Sequence, residues 1–204
     1  MQSLAAAAQL LDNAISTEGI TRLMNELGFQ SPPIILTNEE ANSIGLPADE
    51  NRFLVSAGLG SRRVVSFSIK PGKELRPEVA RIASRLISRA PHLIWSIAAR
   101  DADRGQFALA ACEPAKSGAR VVALVVRPGH IVDSDSETVC ALAAAAGESD
   151  MLIHARWLEI LGRESVSRRF FQALEQSVAR LALDLTPGTT ASDAAELALL
   201  YTSR

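Results

Sequence analysis

The sequence is poor in cysteine and histidine. It contains only two cysteines, Cys112 in a strand pattern and Cys140 in a helical pattern. A single pair of thiols cannot build a disulfide framework or a four-ligand zinc site. The three histidines, His92, His130 and His154, stand singly and lack the spacing of metal ligands. We therefore expect two buried free thiols, histidines with structural or surface roles, and no metal site.

The chain also lacks a strong net charge and long apolar runs. Its 21 basic and 23 acidic residues give a net charge of -2 at pH 7, so contact with nucleic acid would have to rest on a local patch. Apolar runs such as Val121–Val126 and Ala141–Ala146 are far shorter than the roughly 18 residues of a membrane-spanning helix. The first basic residue is Arg22, so the start lacks the positive region of a secretory signal. We expect no membrane partner and a cytoplasmic location.

Common catalytic and nucleotide-binding motifs are missing as well. There is no Gly-x-Gly-x-x-Gly and no P-loop, and Gly58-Leu59-Gly60 lies between two strand patterns rather than before a helix. No serine stands in a Gly-x-Ser-x-Gly nucleophile elbow. We expect no catalytic residue in this chain.

The composition nevertheless predicts a folded protein, since 48% of the residues are apolar and 22% are charged. The patterns predict an α+β fold with a five-stranded, mainly antiparallel sheet, in which the first two strands form a hairpin and the last three a meander. A helix over Pro77–Ala90 is expected to pack on this sheet. The predicted strands are Arg52–Ala57, Arg63–Ile69, Leu93–Ala99, Phe107–Cys112 and Arg120–Val126.

These elements predict three regions: a helical lead-in over residues 1–50, a mixed sheet domain over 51–130 and a helical arm over 131–204. The arm contains a long amphipathic segment from about Val166 to Leu185. A last helix, beginning at Thr190, reaches Arg204 without a glycine stop, a proline or a polar tail. We expect an arm that is truncated inside this helix; the alternative is a terminal helix that frays in solvent.

One segment resembles a degraded nuclease motif. Metal-dependent nucleases of the restriction-enzyme superfamily place an acidic residue, one spacer and a lysine at the end of a hairpin strand, where this chain has Ser68-Ile69-Lys70. Serine cannot replace the carboxylate, because magnesium requires anionic oxygen ligands there. Asp49 or Glu50 could supply another acid, but one carboxylate makes a poor site. We therefore expect no nuclease activity, with Lys70 otherwise a solvated lysine at a strand end.

Two arginine clusters are candidate contacts for the DNA backbone. One recurs every fourth residue along the predicted helix and forms a stripe opposite its apolar face, and the other lies at the start of the long C-terminal helix. Guanidinium groups at this spacing can follow phosphates. The residues are Arg81, Arg85 and Arg89 in the stripe, and Arg163, Arg168 and Arg169 in the second cluster. The alternative is a solvated helix face with Glu78 and Glu164 as partners.

Two segments in the C-terminal part resemble a known family. His154–Glu175 contains Arg-Arg-Phe-Phe-x-x-Leu, and Glu196–Arg204 contains Leu-Leu-Tyr-x-Ser-Arg. Both are similar to the N-terminal region of large bacterial restriction and modification methyltransferases, the adenine-specific enzymes of the fused type IIG kind. Ala90–Trp95 and Val132–Thr138 also resemble these N-terminal regions, so the resemblance extends over most of the chain.

The resemblance implies a position ahead of a methyltransferase domain. The family's Asn-Pro-Pro-Tyr motif and S-adenosylmethionine loop are absent here, and Ser31-Pro-Pro-Ile34 is no substitute. Without the side chains that hold the flipped adenine, methyl transfer is not expected, and S-adenosylmethionine is expected only in the downstream domain. The leading hypothesis is a non-catalytic accessory domain that contacts DNA and the downstream methyltransferase domain. The alternatives are a degenerate metal-dependent nuclease domain and a helical protein-interaction module without a nucleic-acid role.

Overall fold

The computed structural model describes residues 3–30, 32–47, 53–58, 60–116, 118–145 and 149–185. Within the last of these ranges, the side chains of residues 164–172, 175, 179 and 181–185 lie outside the description.

The described residues form six helices and six strands, which confirms the predicted α+β class. The helices are α1 (Leu4–Asn13), α2 (Thr17–Glu26), α3 (Asn38–Ser43), α4 (Leu75–Arg89), α5 (Asp133–Ala144) and α6 (Asp150–Leu185). The strands are β1 (Ile34–Ile35), β2 (Leu54–Ala57), β3 (Arg62–Ser68), β4 (Ile94–Asp101), β5 (Gln106–Ala115) and β6 (Gly118–Val126).

The strands form one sheet in the order β1-β2-β3-β4-β5-β6. The predicted hairpin is β2-β3 and the predicted antiparallel meander is β4-β5-β6. Between them, β3 and β4 run parallel, because α4 connects them and returns the chain to the end of the sheet at which β3 begins. The sheet is therefore mixed, and this parallel pairing is the exception to the mainly antiparallel prediction.

The sheet has six strands rather than five. The additional strand, β1, pairs antiparallel with β2 at the edge, with Ile34 opposite Val55 and Ile35 opposite Leu54. Two residues are too short to show the alternation by which a strand is recognised in a sequence. Both isoleucines are exposed.

Helices cover both faces of the sheet. Successive strand residues point to opposite sides, so each face has its own set of side chains on which helices pack. On one face, Val65 and Phe67 of β3 pack with α4 and with Ala41 of α3. On the other face, Val64 packs with side chains of α1, α2, α5 and the beginning of α6, including Trp157. The predicted packing of a helix on the sheet is confirmed by α4, while the lead-in helices α1 and α2 share a core with the opposite face.

The chain divides into two compact units, Met1–Gly162 and Arg163–Arg204. Both hydrophobic cores belong to the first unit, in which Leu161 is the last core residue. The boundary falls within α6, which begins at Asp150 and thus well before the predicted start near Val166. In the described part of the chain, no helix is long and apolar enough to span a membrane.

Candidate functional site

The outer face of α4 carries the arginine stripe. The apolar side chains of α4 point into the core, so Arg85 and Arg89 are exposed. Arg81 is only partly exposed. Its Nε donates to Oε2 of Glu78 at 3.0 Å, and Nη2 donates to the other carboxylate oxygen.

The ion pair of Arg81 with Glu78 changes the charge that α4 presents. Glu78 is buried, and its hydrogen bonds with Arg81 lower the pKa of its carboxyl; burial opposes this, and the charge of Arg85 lowers the pKa further. Glu78 is therefore ionised at neutral pH and compensates Arg81. Glu78, which the solvated-face alternative named as a partner, thus pairs with Arg81. Arg85 and Arg89 remain as the exposed cations of the stripe.

A shallow cleft of about 450 Å³ lies beside these two arginines, between α4 and the turn after α3. Gly45 in that turn has a φ of 82°, and a Cβ there would come within 2.7 Å of Cγ of Arg89. The aliphatic part of the Arg89 side chain therefore packs against the backbone of Gly45, and only glycine leaves room for this contact. The amide of Asn42 and the hydroxyls of Ser84 and Ser88 also line the cleft, and none of its described lining residues is acidic.

The second cluster is only partly described. Arg163 is the first residue of the second unit and is exposed. The side chains of Arg168, Arg169 and Glu164 lie outside the described residues, so their proposed contacts stay a prediction.

Ser68 and Lys70 line a cleft of about 390 Å³ at the carboxyl end of β3, between α2 and the sheet. Arg100, opposite Ser68 on β4, also lines it. Its Nε donates to the Ser68 hydroxyl, and its Nη1 donates to the carbonyl oxygen of Ile15 at 2.9 Å. A serine, a lysine and an arginine therefore line one cleft, and the first two belong to the segment that resembles the degraded nuclease motif.

This cleft, here named the β3–β4 cleft, has no carboxylate among its described lining residues. Asp49 and Glu50, the other candidate acids, lie outside the described part of the chain. Within that part, no group of three or more histidine, cysteine or acidic side chains is placed to hold a metal ion.

The sequence did not reveal a buried cation, Arg62, in the first unit. Arg62 is 3% exposed, and its guanidinium carbon lies 4.7 Å from the ring centroid of Phe29 and 4.8 Å from that of Trp157. Burial lowers the pKa of Arg62 to about 10, and the negative charge of Asp150 opposes this shift. Its Nε and Nη2 have no hydrogen-bond partner among the described residues. The contacts with two aromatic rings therefore compensate part of the cost of burying this charge.

His154 lies near this cation and is also buried. Its Nε2 donates to the carbonyl oxygen of Cys112 at 2.9 Å, which places the proton on Nε2. Burial lowers the pKa of His154; the hydrogen bond to Cys112 opposes the shift and the charge of Arg62 adds to it. The expectation of a structural role for His154 agrees with this geometry. The sequence contained one signal for the burial of Arg62: strand alternation puts Arg62 on the same face as the buried Val64.

No family model matches the chain, and no curated protein or solved structure matches it either.

Proposed function

We propose that the chain is a non-catalytic accessory domain of a bacterial restriction and modification methyltransferase and that α4 contacts the DNA backbone. The proposed methyltransferase family rests on the resemblance of the segments quoted in the sequence analysis. The observation that carries the DNA contact is the exposed pair Arg85 and Arg89 beside a cleft without described acidic residues.

The geometry of this pair suits phosphate. Arg85 and Arg89 are four residues apart, so their Cα atoms are separated by about 6 Å along one helix face. Guanidinium groups bind phosphate oxygens through paired, charge-assisted hydrogen bonds. Ser88 and Asn42 supply neutral donors at the same place, while the hydroxyl of Ser84 donates to the carbonyl oxygen of Ala80. Contacts of this kind position a protein on a duplex without reading its sequence.

The partner in this proposal is a downstream methyltransferase domain, which would bind S-adenosylmethionine and the flipped adenine. The accessory domain would hold the flanking backbone and would itself bind no cofactor. Because the net charge is -2, long-range attraction adds little, and binding by this chain alone is weak.

Fluorescence anisotropy of a labelled duplex at about 50 mM salt tests this function. The wild-type chain is expected to bind, and the Arg85→Ala/Arg89→Ala variant to bind about tenfold or more weakly, since two charge-assisted contacts are lost. Arg22→Ala is the matched control, because Arg22 is exposed, ion-paired with Glu18 and situated on α2, which covers the opposite face of the sheet. Absence of binding by the wild type, or equal binding by the double variant, contradicts the proposal.

A further inference from the structure

The β3–β4 cleft occupies a special position in the sheet. Strand β3 pairs antiparallel with β2 on one side and parallel with β4 on the other. Ser68 is the last residue of β3, Lys70 follows two residues later, and Arg100 is near the carboxyl end of β4. In open sheets with helices on both faces, ligands bind outside the carboxyl ends of parallel strands.

The polar groups in this cleft are hydrogen-bond donors of the kind that binds anions. Lys70 is exposed, whereas Ser56 and Ser66 are only 5% and 7% exposed, so their hydroxyls are held inside. Both cations and both hydroxyls line one volume together with the hydroxyl of Ser68. Among the described lining residues, none is acidic and could compensate this positive charge.

Arg100 is held in place by neutral acceptors. Its hydrogen bonds go to the Ser68 hydroxyl and the Ile15 carbonyl oxygen, and no described carboxylate pairs with it. Other arginines of the chain do form ion pairs with acidic side chains, namely Arg22, Arg81, Arg104 and Arg120. A guanidinium that is fixed in position and lacks a counter-ion is preorganised for an anionic ligand.

Part of the lining is apolar: Ile20 and Met24 belong to α2, and Leu54 of β2 lies opposite Ser66 in the sheet. These three side chains are here called the apolar wall. Its volume of about 390 Å³ lies in the range of small-molecule sites. We propose that the β3–β4 cleft binds a phosphorylated small molecule of nucleotide size, with the phosphate group on Lys70 and Arg100 and the organic part against the apolar wall. This site lies on the face of the sheet opposite α4 and does not depend on the proposed DNA contact.

Isothermal titration calorimetry of the whole chain tests this proposal with three probes: inorganic phosphate, a nucleoside 5′-monophosphate and the unphosphorylated nucleoside. We expect binding of phosphate, tighter binding of the monophosphate and little binding of the nucleoside. Lys70→Met and Arg100→Gln are each expected to weaken monophosphate binding about tenfold, since each removes a charged donor. Lys116→Met is the control, because Lys116 lies in the turn between β5 and β6, at the other end of the sheet.

The proposal would be overturned by no heat with either phosphate-bearing probe, by binding unchanged in Lys70→Met, or by a nucleoside that binds as tightly as its monophosphate. Arg100 also holds the segment before α2 through Ile15, so circular dichroism must show that its variant is folded. Lys70 is exposed at a strand end, and Lys70→Met therefore tests the site without that complication. Equal weakening in the Arg85→Ala/Arg89→Ala variant would place the bound phosphate on α4 and would likewise overturn the proposal.

Discussion

At the scale of single residues, the first unit buries a charge and a histidine near each other. The guanidinium of Arg62 contacts the rings of both Phe29 and Trp157, and its positive charge contributes to lowering the pKa of His154. A second positive charge at His154 would lie in the same poorly solvated region, where like charges repel strongly. His154 is therefore kept neutral, donating from Nε2 to Cys112.

This depressed pKa predicts a pH dependence of stability. Above the ordinary histidine value of 6.5, His154 is neutral in both the folded and the unfolded chain and contributes no pH dependence. As the pH falls below that value, the unfolded chain binds a proton that the folded chain does not, so the free energy of unfolding decreases until the pH reaches the folded-state pKa.

Denaturant unfolding at about pH 7.5 and about pH 5.5 measures this effect. In His154→Gln, whose amide can still donate to Cys112, the acid-dependent loss should be smaller than in the wild type. His92→Gln is the control because His92 is exposed. An equal loss of stability in the wild type and His154→Gln would show that His154 titrates normally in the folded protein.

At the scale of elements, the turn between β2 and β3 is fastened to the first residue of α6. Oδ2 of Asp150 accepts hydrogen bonds from the backbone nitrogen of Ser61 at 2.6 Å and from its hydroxyl at 3.1 Å. A carboxylate at the beginning of a helix also interacts favourably with the helix dipole. The contact holds the beginning of α6, and with it His154 and Trp157, beside the sheet.

Substitution of Gly60 tests this fastening. Gly60 has a φ of 52°, and a Cβ there would come within 2.2 Å of the Asp150 carboxylate. Gly60→Ala should therefore lower the free energy of unfolding for two reasons: alanine is strained in a left-handed backbone, and its Cβ displaces Asp150. Gly72→Ala is the control, since Gly72 has a φ of 78° but no atom within 4 Å of the added Cβ.

We expect Gly72→Ala to cost about 1 kcal/mol and Gly60→Ala about 2 kcal/mol more, the amount typical of lost hydrogen bonds to a charged acceptor. Both values are measured as free energies of unfolding in urea. Equal costs for the two variants would mean that Asp150 moves without losing its contact with Ser61.

The elements also show how far the sequence could predict the fold. Five strands and α4 were predictable because their apolar residues recur with the period of a strand or a helix. The parallel pairing of β3 with β4 was indicated only indirectly, by the helix predicted between these two strands, since strand alternation is the same in both pairing directions. Strand β1 is defined by backbone pairing with β2 over two residues, and so short a segment has no period.

The candidate site was predictable only in part. Helical spacing placed Arg81, Arg85 and Arg89 on one face of α4, but the ion pair with Glu78 that compensates Arg81 depends on side-chain geometry. The position of Ser68 and Lys70 at the end of a hairpin strand was also readable from the pattern. Arg100 was not recognised as their neighbour, because the parallel register that sets it opposite Ser68 was unknown.

At the scale of the whole molecule, both cores lie within residues 1–162. The first part of α6 contributes the buried side chains Ile153, Trp157 and Leu161 to one of them. We therefore expect a chain that ends at Gly162 to fold, and a chain that ends at Ala145 to lose cooperative folding. Large core side chains contribute about 2 to 5 kcal/mol each, and three of them together approach the whole stability of a typical domain, about 5 to 15 kcal/mol.

Thermal unfolding followed by circular dichroism distinguishes the two truncations. The chain ending at Gly162 should give one cooperative transition, and the chain ending at Ala145 a broad change or none. Cooperative unfolding of the shorter chain would show that the beginning of α6 is not part of the core. Loss of folding in the longer chain would show that residues after Gly162 are needed.

The salt dependence of duplex binding tests whether α4 binds the DNA backbone, as proposed above. Phosphate contacts release counterions, so a chain that neutralises about three to five phosphates should show a slope of log affinity against log salt of about -3 to -4. In Arg85→Ala/Arg89→Ala the slope should become shallower by nearly two units, whereas in Arg81→Ala, whose arginine is held by Glu78, it should change by less than one. A slope near zero in the wild type, or the same slope in the wild type and the double variant, would contradict this proposal.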